Sequence, residues 1–178
     1  MNSFYSESEL LQLNLKRVGM DVLISKKCSL YSPNMIRIGD NVRIDDFCIL
    51  SGNITLGSHI HISAHSAIYG AMGVIMEDYT GLSPRCTIFS AMDDFSGNYL
   101  IGPIHPNYKT NVNGGLVVIK RFVKIGAGTI VFPNLIIEEG AVIGAHSLVS
   151  KDINEWTINV GIPTRAIKNR SKDLLKFV

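Results

Sequence analysis

Through the stretch IGAGTIVFPNLIIEEGAVIGAHSLVSKD (residues 125–152), an aliphatic residue returns at every sixth place: Ile125, Val131, Ile137, Ile143 and Val149. A strand repeats every 2.0 residues and a helix every 3.6, so a period of six belongs to neither alone. Upstream the series continues to Ile119 and then breaks. It resumes at Ile88, Leu82 and Met76, slips by two residues, and runs on through Ile68, Ile62, Leu56, Leu50, Ile44 and Ile38. A second slip of two leads to Leu30 and Ile24, and every one of these positions is Ile, Leu, Val or Met.

A second set of small or apolar residues sits two places before the first, including Cys28, Val42, Cys48, Ile60, Ser66, Thr80, Cys86, Val123, Thr129, Ala141 and Ser147. Residues two apart on a strand share a face. Each six-residue unit therefore reads as a short strand with two inward side chains, followed by a turn. Gly39, Gly57, Gly126 and Gly144 follow the aliphatic position, where the chain must bend. Units this short cannot close a core singly and must stack as a parallel solenoid.

The flanks read differently. YSESELLQLNLKRVG predicts a helix, with capping-box spacing between Ser6 and Glu9, an apolar side of Leu10, Leu11 and Leu13, and Gly19 as its stop. SKDLLKFV predicts a closing helix with Ser171 at its cap. The expected organisation is a helical N-terminal cap over residues 1–20, a β-helix over 21–153 with residues 91–115 inserted as a loop, and a tail with helix over 154–178.

The pattern of aliphatic, often Gly, two variable residues and a small residue resembles the hexapeptide-repeat acyltransferases over about residues 22–170. That resemblance implies an all-β chain: a left-handed parallel β-helix, triangular in section with three hexads per coil. Coils would begin at Ile38, Leu56, Met76, Ile119 and Ile137. These five coils make a prism roughly 24 Å tall, with a partial turn from Ile24 to Leu30 at its base. The family is typically trimeric, with each active site between two prisms, and takes its acyl group from acetyl-CoA. SAMDDFSG resembles a signature of a subgroup that modifies sugars for bacterial surface polysaccharides.

Composition narrows the field. The chain has 178 residues, 46% hydrophobic and 18% charged, so a single folded domain is expected. A net charge of +2, without lysine and arginine interleaved with aromatics, gives no sign of nucleic acid. No apolar run approaches a membrane span, and MNSFYSESEL lacks the form of a secretory signal, so a cytoplasmic protein without membrane insertion is expected. The three cysteines, Cys28, Cys48 and Cys86, occupy inward positions and should be buried and inert, which disfavours an acyl-cysteine route.

Candidate chemistry gathers at three places. The loop carries Tyr99, Leu100, Ile101, Ile104 and Tyr108, an apolar load that a solvated loop would not need. Family resemblance implies that it reaches over a neighbouring subunit to wall the active site; the plainer reading is a trimer-clamping arm. Galactoside-type relatives carry their histidine base near the start of this loop, where this chain has Met92, Asp93 and Asp94. His65 and His146 each follow a second-face aliphatic by three residues, so they should share one prism corner with Phe47, Arg85 and Gly128.

HISAHSAIYG (61–70) also resembles what the subgroup carries there, and His65 is the expected general base. Asp93 or Asp94 would hold the acceptor or orient the imidazole, with His105 as the second candidate base. Arg85, Tyr99 and His105 are candidates for acceptor binding. The bland alternative makes His65 a turn residue. His59 falls on another corner, and His61 points outward from a strand.

VGIPTRAIKNR (160–170) matches the family's closing G-x-P-[AC]-[KR]-x-[IL] pattern except at Thr164. The resemblance implies coenzyme A near this end, with Lys151, Pro163, Arg165, Lys168 and Arg170 as donor-site candidates. Gly126, Ala127, Gly144 and Ala145 would flank its pantetheine arm. Rival readings are a non-catalytic β-helix scaffold and a zinc carbonic anhydrase on the same fold, whose three-histidine ligand spacing is absent here. Acetyl transfer to a sugar hydroxyl or amine, including a nucleotide-linked amino sugar, without a metal, is the function expected.

Overall fold

The computed structural model describes residues 3–178. Two inward residues per hexad are enough to build a three-sided prism. On what we term the second face, seven short strands stack in parallel: Leu23–Ile24, Val42–Ile44, Ile60–Ile62, Gly81–Leu82, Lys124–Ile125, Val142–Ile143 and Thr157–Val160. The five coils read from the hexads account for the middle of this stack. Leu23–Ile24 is the partial turn at the base, and Thr157–Val160 adds a rung at the top. That last rung escaped the aliphatic count because its inward residue is Asn159, which is only 3% exposed. Arg165–Asn169 then folds back antiparallel on it.

Register across the coils is residue upon residue. Ile44 pairs with Ile62, Ile68 with Ile88, Met76 with Ile119, and Val131 with Val149. Each inward aliphatic therefore packs on its counterparts above and below, and all of these are fully buried. Burial of one such side chain is worth about 1.5–3 kcal/mol, and the column repeats it along the whole prism.

Two of the three corners are turned by residues with left-handed backbone. At the first corner these include Asn41, His59, Tyr79, Phe122, Gly140 and Trp156; at the second, Phe47, His65, Arg85, Gly128 and His146. In each of these except Phe47 the N–H of the turn residue donates to a carbonyl of the coil beneath, as in His59 to Asp40 (2.9 Å), Tyr79 to Ser58 (2.9 Å) and His65 to Asp46 (3.1 Å). The third corner has no such rule. There the strands Ile49–Leu56 and Ala67–Met76 run round the bend, and all irregularity gathers there: the 3-10 turn Pro33–Met35, the slip between Ile68 and Met76, and the long loop.

The N-terminal helix is shorter than its pattern suggested, Glu7–Gln12. Its capping box is formed, with Ser6 N–H on Glu9 Oε2 (2.7 Å) and Glu9 N–H on Ser6 Oγ (3.3 Å). Left-handed Asn14 ends it, and Lys16 N–H turns to Ile36 O, so the chain begins stacking before Gly19. Leu10 is buried, whereas Leu11 stays 77% exposed. The first two residues of the expected cap lie outside the described residues. The closing helix is a 3-10 turn, Asp173–Phe177, with Ser171 Oγ accepting Asp173 N–H at 3.1 Å.

Gly140 tests the corner packing. Its φ is +69°, and a Cβ there would meet the Trp156 ring at 2.5 Å. Gly97, in the loop, has φ +88° with nothing within 4 Å. Chemical denaturation should show Gly140→Ala costing roughly 1–3 kcal/mol and Gly97→Ala distinctly less.

Candidate active site

The long loop opens from the third corner as a hairpin, Ala91–Asp93 antiparallel to Val112–Gly114, with Asp93 opposite Val112. Asp94 closes it: its N–H donates to Asn111 O (2.9 Å), and its carboxylate accepts from Asn111 Nδ2 (2.8 Å) and Ser96 N–H (2.7 Å). Those bonds, Ser96 first, hold the Asp94 carboxyl below the usual carboxylate range. The two neighbouring aspartates thus separate. Asp94 is tied into the loop, whereas Asp93 has no bonded side-chain partner among the described residues and faces open clefts.

Asp93 stands between two of these clefts. On one side is an apolar hollow of about 310 Å³ formed with Phe89, Ala91, Met92, Phe95 and Val112. On the other is a more polar one of about 420 Å³ formed with Met92, Asn113, Gly114, Pro133 and Asn134. Two coils above Asp93 at the same corner, Lys151 and Arg165 line a cleft of about 430 Å³ with Asp152, Asn154, Asn159 and Thr164. Hydrogen bonds link these levels: Gly115 N–H donates to Ser90 O (2.9 Å), Asn134 N–H to Gly115 O (3.3 Å), and Ile136 N–H to the Asp152 carboxylate Oδ1 (2.8 Å). These separate clefts therefore line the third corner in series, a furrow broken between coils, from the basic end to Asp93.

His65 lies elsewhere. It sits on the second corner, exposed and stacked on Phe47 with centroids 4.9 Å apart, one coil below Arg85. Ser83 opens the same turn as Arg85, and the His146 ring folds over Gly128 two coils up. The strand Thr87–Phe89 separates this corner from Asp93 by the width of the third face, roughly 15 Å at 3.3 Å per residue. Within one chain, His65 and Asp93 do not meet.

The other candidates divide in the same way. Gly126, Ala127, Gly144 and Ala145 belong to the second corner, not to the furrow with Lys151 and Arg165. A Cβ on Gly126 would strike Ala145 N at 2.6 Å, and one on Gly144 would strike the Val160 side chain at 2.7 Å, so these glycines admit the next coil. Pro163 and Lys168 are exposed at the top. Arg170 is pinned at the first corner, where Nη1 donates to Phe122 O (2.8 Å) and Gly140 O (2.9 Å). Tyr99 and His105 lie beyond the hairpin in the outer loop, where Ile104 and Tyr108 are largely exposed.

Burial pushes the Cys28 thiol up to about 12 and the Cys86 thiol up to about 11, so neither supplies a thiolate nucleophile. His61 Nε2 pairs with Asp45 Oδ2 at 2.7 Å on the second face. Among the described residues, no group of three or more His, Cys, Asp or Glu side chains could hold a metal ion. No helix is long and apolar enough to cross a membrane.

No family model matches the chain. Individual proteins do. A dTDP-4-amino-4,6-dideoxy-D-glucose acyltransferase of Escherichia coli is 44% identical, covering 98% of this chain and 93% of its own. The chain belongs to the hexapeptide-repeat acyltransferases. Another such acyltransferase, the N-acyltransferase AntD of Bacillus cereus, is 49% identical with a TM-score of 0.97, over 99% of this chain and 95% of that one. Its left-handed β-helix is the fold seen here. A variant of it with one serine replaced by cysteine has been crystallised with dTDP-4-amino-4,6-dideoxyglucose and coenzyme A. A maltose O-acetyltransferase of Clostridium difficile is more distant, 25% identical with a TM-score of 0.61 over 96% of this chain and 81% of its own.

Asp94 yields a pH test. Because its folded pKa is lowered, the stability it lends the hairpin is present above the unfolded value and lost as pH falls through the lowered one. Limited proteolysis within residues 95–111 should be faster in Asp94→Ala than in the wild type at neutral pH. The two should converge only in acid, below about pH 4.

Proposed function

We propose that this enzyme transfers an acyl group, acetyl in the simplest case, from coenzyme A to the amino group of a nucleotide-linked 4-amino-4,6-dideoxyhexose, in the cytoplasm and toward surface polysaccharide. One observation carries the reading: near-half identity over almost the whole length to a protein crystallised with that sugar nucleotide and coenzyme A together. Structures of that protein also exist with a serine altered and with an aspartate ten positions further on altered, each with coenzyme A bound. Here Ser83 and Asp93 stand at that spacing, and Asp94 does not.

The chemistry follows from the proposed placement. The donor's phosphates lie against Lys151 and Arg165, and its pantetheine arm descends past Asn134. The neutral amine attacks the thioester carbon, a backbone N–H steadies the oxyanion, the C–S bond breaks, and coenzyme A leaves as its thiolate. Asp93 takes the proton that the nitrogen sheds. Ser83 and His65 contribute from the second corner. Since that corner and Asp93 sit on opposite edges of one face, the site is completed between prisms of a homotrimer. O-acylation, with His65 as base, is the second reading, supported by its exposure and by the O-acetyltransferase among the solved relatives.

Release of free thiol from acetyl-CoA, with a panel of amino and neutral sugar nucleotides, tests the reaction. Asp93→Asn should lower the rate by about a hundredfold or more, and Asp94→Asn should leave it near normal. If His65→Ala instead causes the hundredfold loss and neutral sugars are acetylated, the amine reading fails.

Subunit mixing tests the assembly. Ser83→Trp and Asp93→Asn chains, each inactive alone, should regain about a quarter of wild-type turnover when reassembled together. No recovery would place both residues in one chain's own site.

A further inference from the structure

The hairpin register decides which side chains surround Asp93. Directly opposed residues of an antiparallel pair share a face, and Asp93 lies opposite Val112, as Ala91 lies opposite Gly114. Ala91, Asp93 and Val112 therefore project from one face of the hairpin, while Met92 and Asn113 project from the other. Phe89 and the largely exposed Phe95 complete the hollow of about 310 Å³ on the first of these faces, where Asp93 is the only polar side chain.

The prism itself holds the walls in place. Phe89 stacks on Tyr69 of the coil below, with centroids 5.3 Å apart. At the hairpin's root, buried Ser90 donates from Oγ to Tyr69 O (2.9 Å) and accepts Met72 N–H (2.8 Å). A Cβ on Gly114 would strike Ser90 O, so the bare glycine lets the two strands close on this root. The result is a half-buried carboxylate, without a bonded partner among the described residues, set against preformed apolar walls. Such a surface suits a nitrogen that carries an apolar neighbour.

We propose that this hollow is the acceptor's specificity pocket: with the sugar amine on Asp93, the exocyclic carbon next to it lies against Phe89, Ala91 and Val112 and is selected as a methyl over a hydroxymethyl group. This assignment rests on the amino-sugar reading of the site and adds which atoms of the sugar are chosen, and by which side chains. In a 4-amino-4,6-dideoxyhexose the C5 methyl adjoins the C4 amine, so one carboxylate and one apolar wall grip both. A 6-hydroxyl would lose water there and find no side-chain partner but Asp93, which it would contest with the amine.

Thiol release from acetyl-CoA tests this with two acceptors that differ by one oxygen, dTDP-4-amino-4,6-dideoxyglucose and dTDP-4-amino-4-deoxyglucose. The kcat/KM should favour the first by roughly a hundredfold. Val112→Thr, close in shape but with a hydroxyl in the hollow, should narrow that preference by about fivefold or more, and Ala91→Ser should act in the same direction. Neither change should alter the ratio of butyryl-CoA to acetyl-CoA turnover. Equal kcat/KM for the two sugars overturns the proposal. So does a preference that both variants leave intact, or an acyl-chain ratio that shifts in its place, which would put the acyl group in the hollow. Turnover of neither sugar by the wild type strikes at the amino-sugar reading itself, and the pocket assignment falls with it.

Discussion

The fold depends on one backbone contact made repeatedly. At two corners, a residue in left-handed conformation points its N–H at a carbonyl one coil below, from His59 to Asp40 and from His65 to Asp46. The bond forms only if the path from one inward aliphatic to the next has a fixed length. Across those corners the spacing is accordingly six at every coil, from Ile38 to Ile44 and from Ile62 to Ile68 alike. A non-glycine residue pays about 1–2 kcal/mol for left-handed backbone. The coil-to-coil bond and the stacked rings at the corner offset that cost.

Freedom is left only at the third corner. Every departure from the period falls there, and the largest is the loop that carries Asp93. The proposed chemistry thus falls where chain length is unconstrained and rigid faces lie on both sides. The same geometry explains the two groups of candidate residues. Side chains on the second corner are held by the ladder, and those on the third by the hairpin and the furrow. Neither group forms a site with the other in a single prism.

The inward half of the structure was legible because burial imposes a period. The hexads gave the faces, the coil starts, the buried Cys48 and Cys86 (Cys28, in the partial turn at the base, is only half-buried) and the shared corner of Phe47, His65, Arg85, Gly128 and His146. Outward residues carry no such period. Nothing in MDD distinguishes the free Asp93 from Asp94, which is bound by Asn111 and Ser96; only the hairpin register separates them. Ser83, which the proposed mechanism uses, carries no signal because a serine at a turn is ordinary, and proximity in sequence groups Arg170 with Lys151 and Arg165. The antiparallel return of Arg165–Asn169 carries Arg170 to a different corner. Basic residues a few places apart need not share a ligand when the strand between them spans a face.

The separation of Asp93 from His65 bears on which nucleophile the site suits. A hydroxyl must lose its proton as it attacks, and a base with pKa near the working pH serves it best, which favours imidazole. An amine attacks through its lone pair and sheds its proton afterwards, from a nitrogen that has become positively charged. A carboxylate is too weak a base for the first task but adequate for the second, and its negative charge also steadies the cationic nitrogen before the proton moves. A free aspartate at the loop's root, with His65 a face away and His105 out beyond the hairpin, is an arrangement that works for an amino sugar. For a neutral sugar it would leave the harder proton transfer to His65 of an adjoining prism.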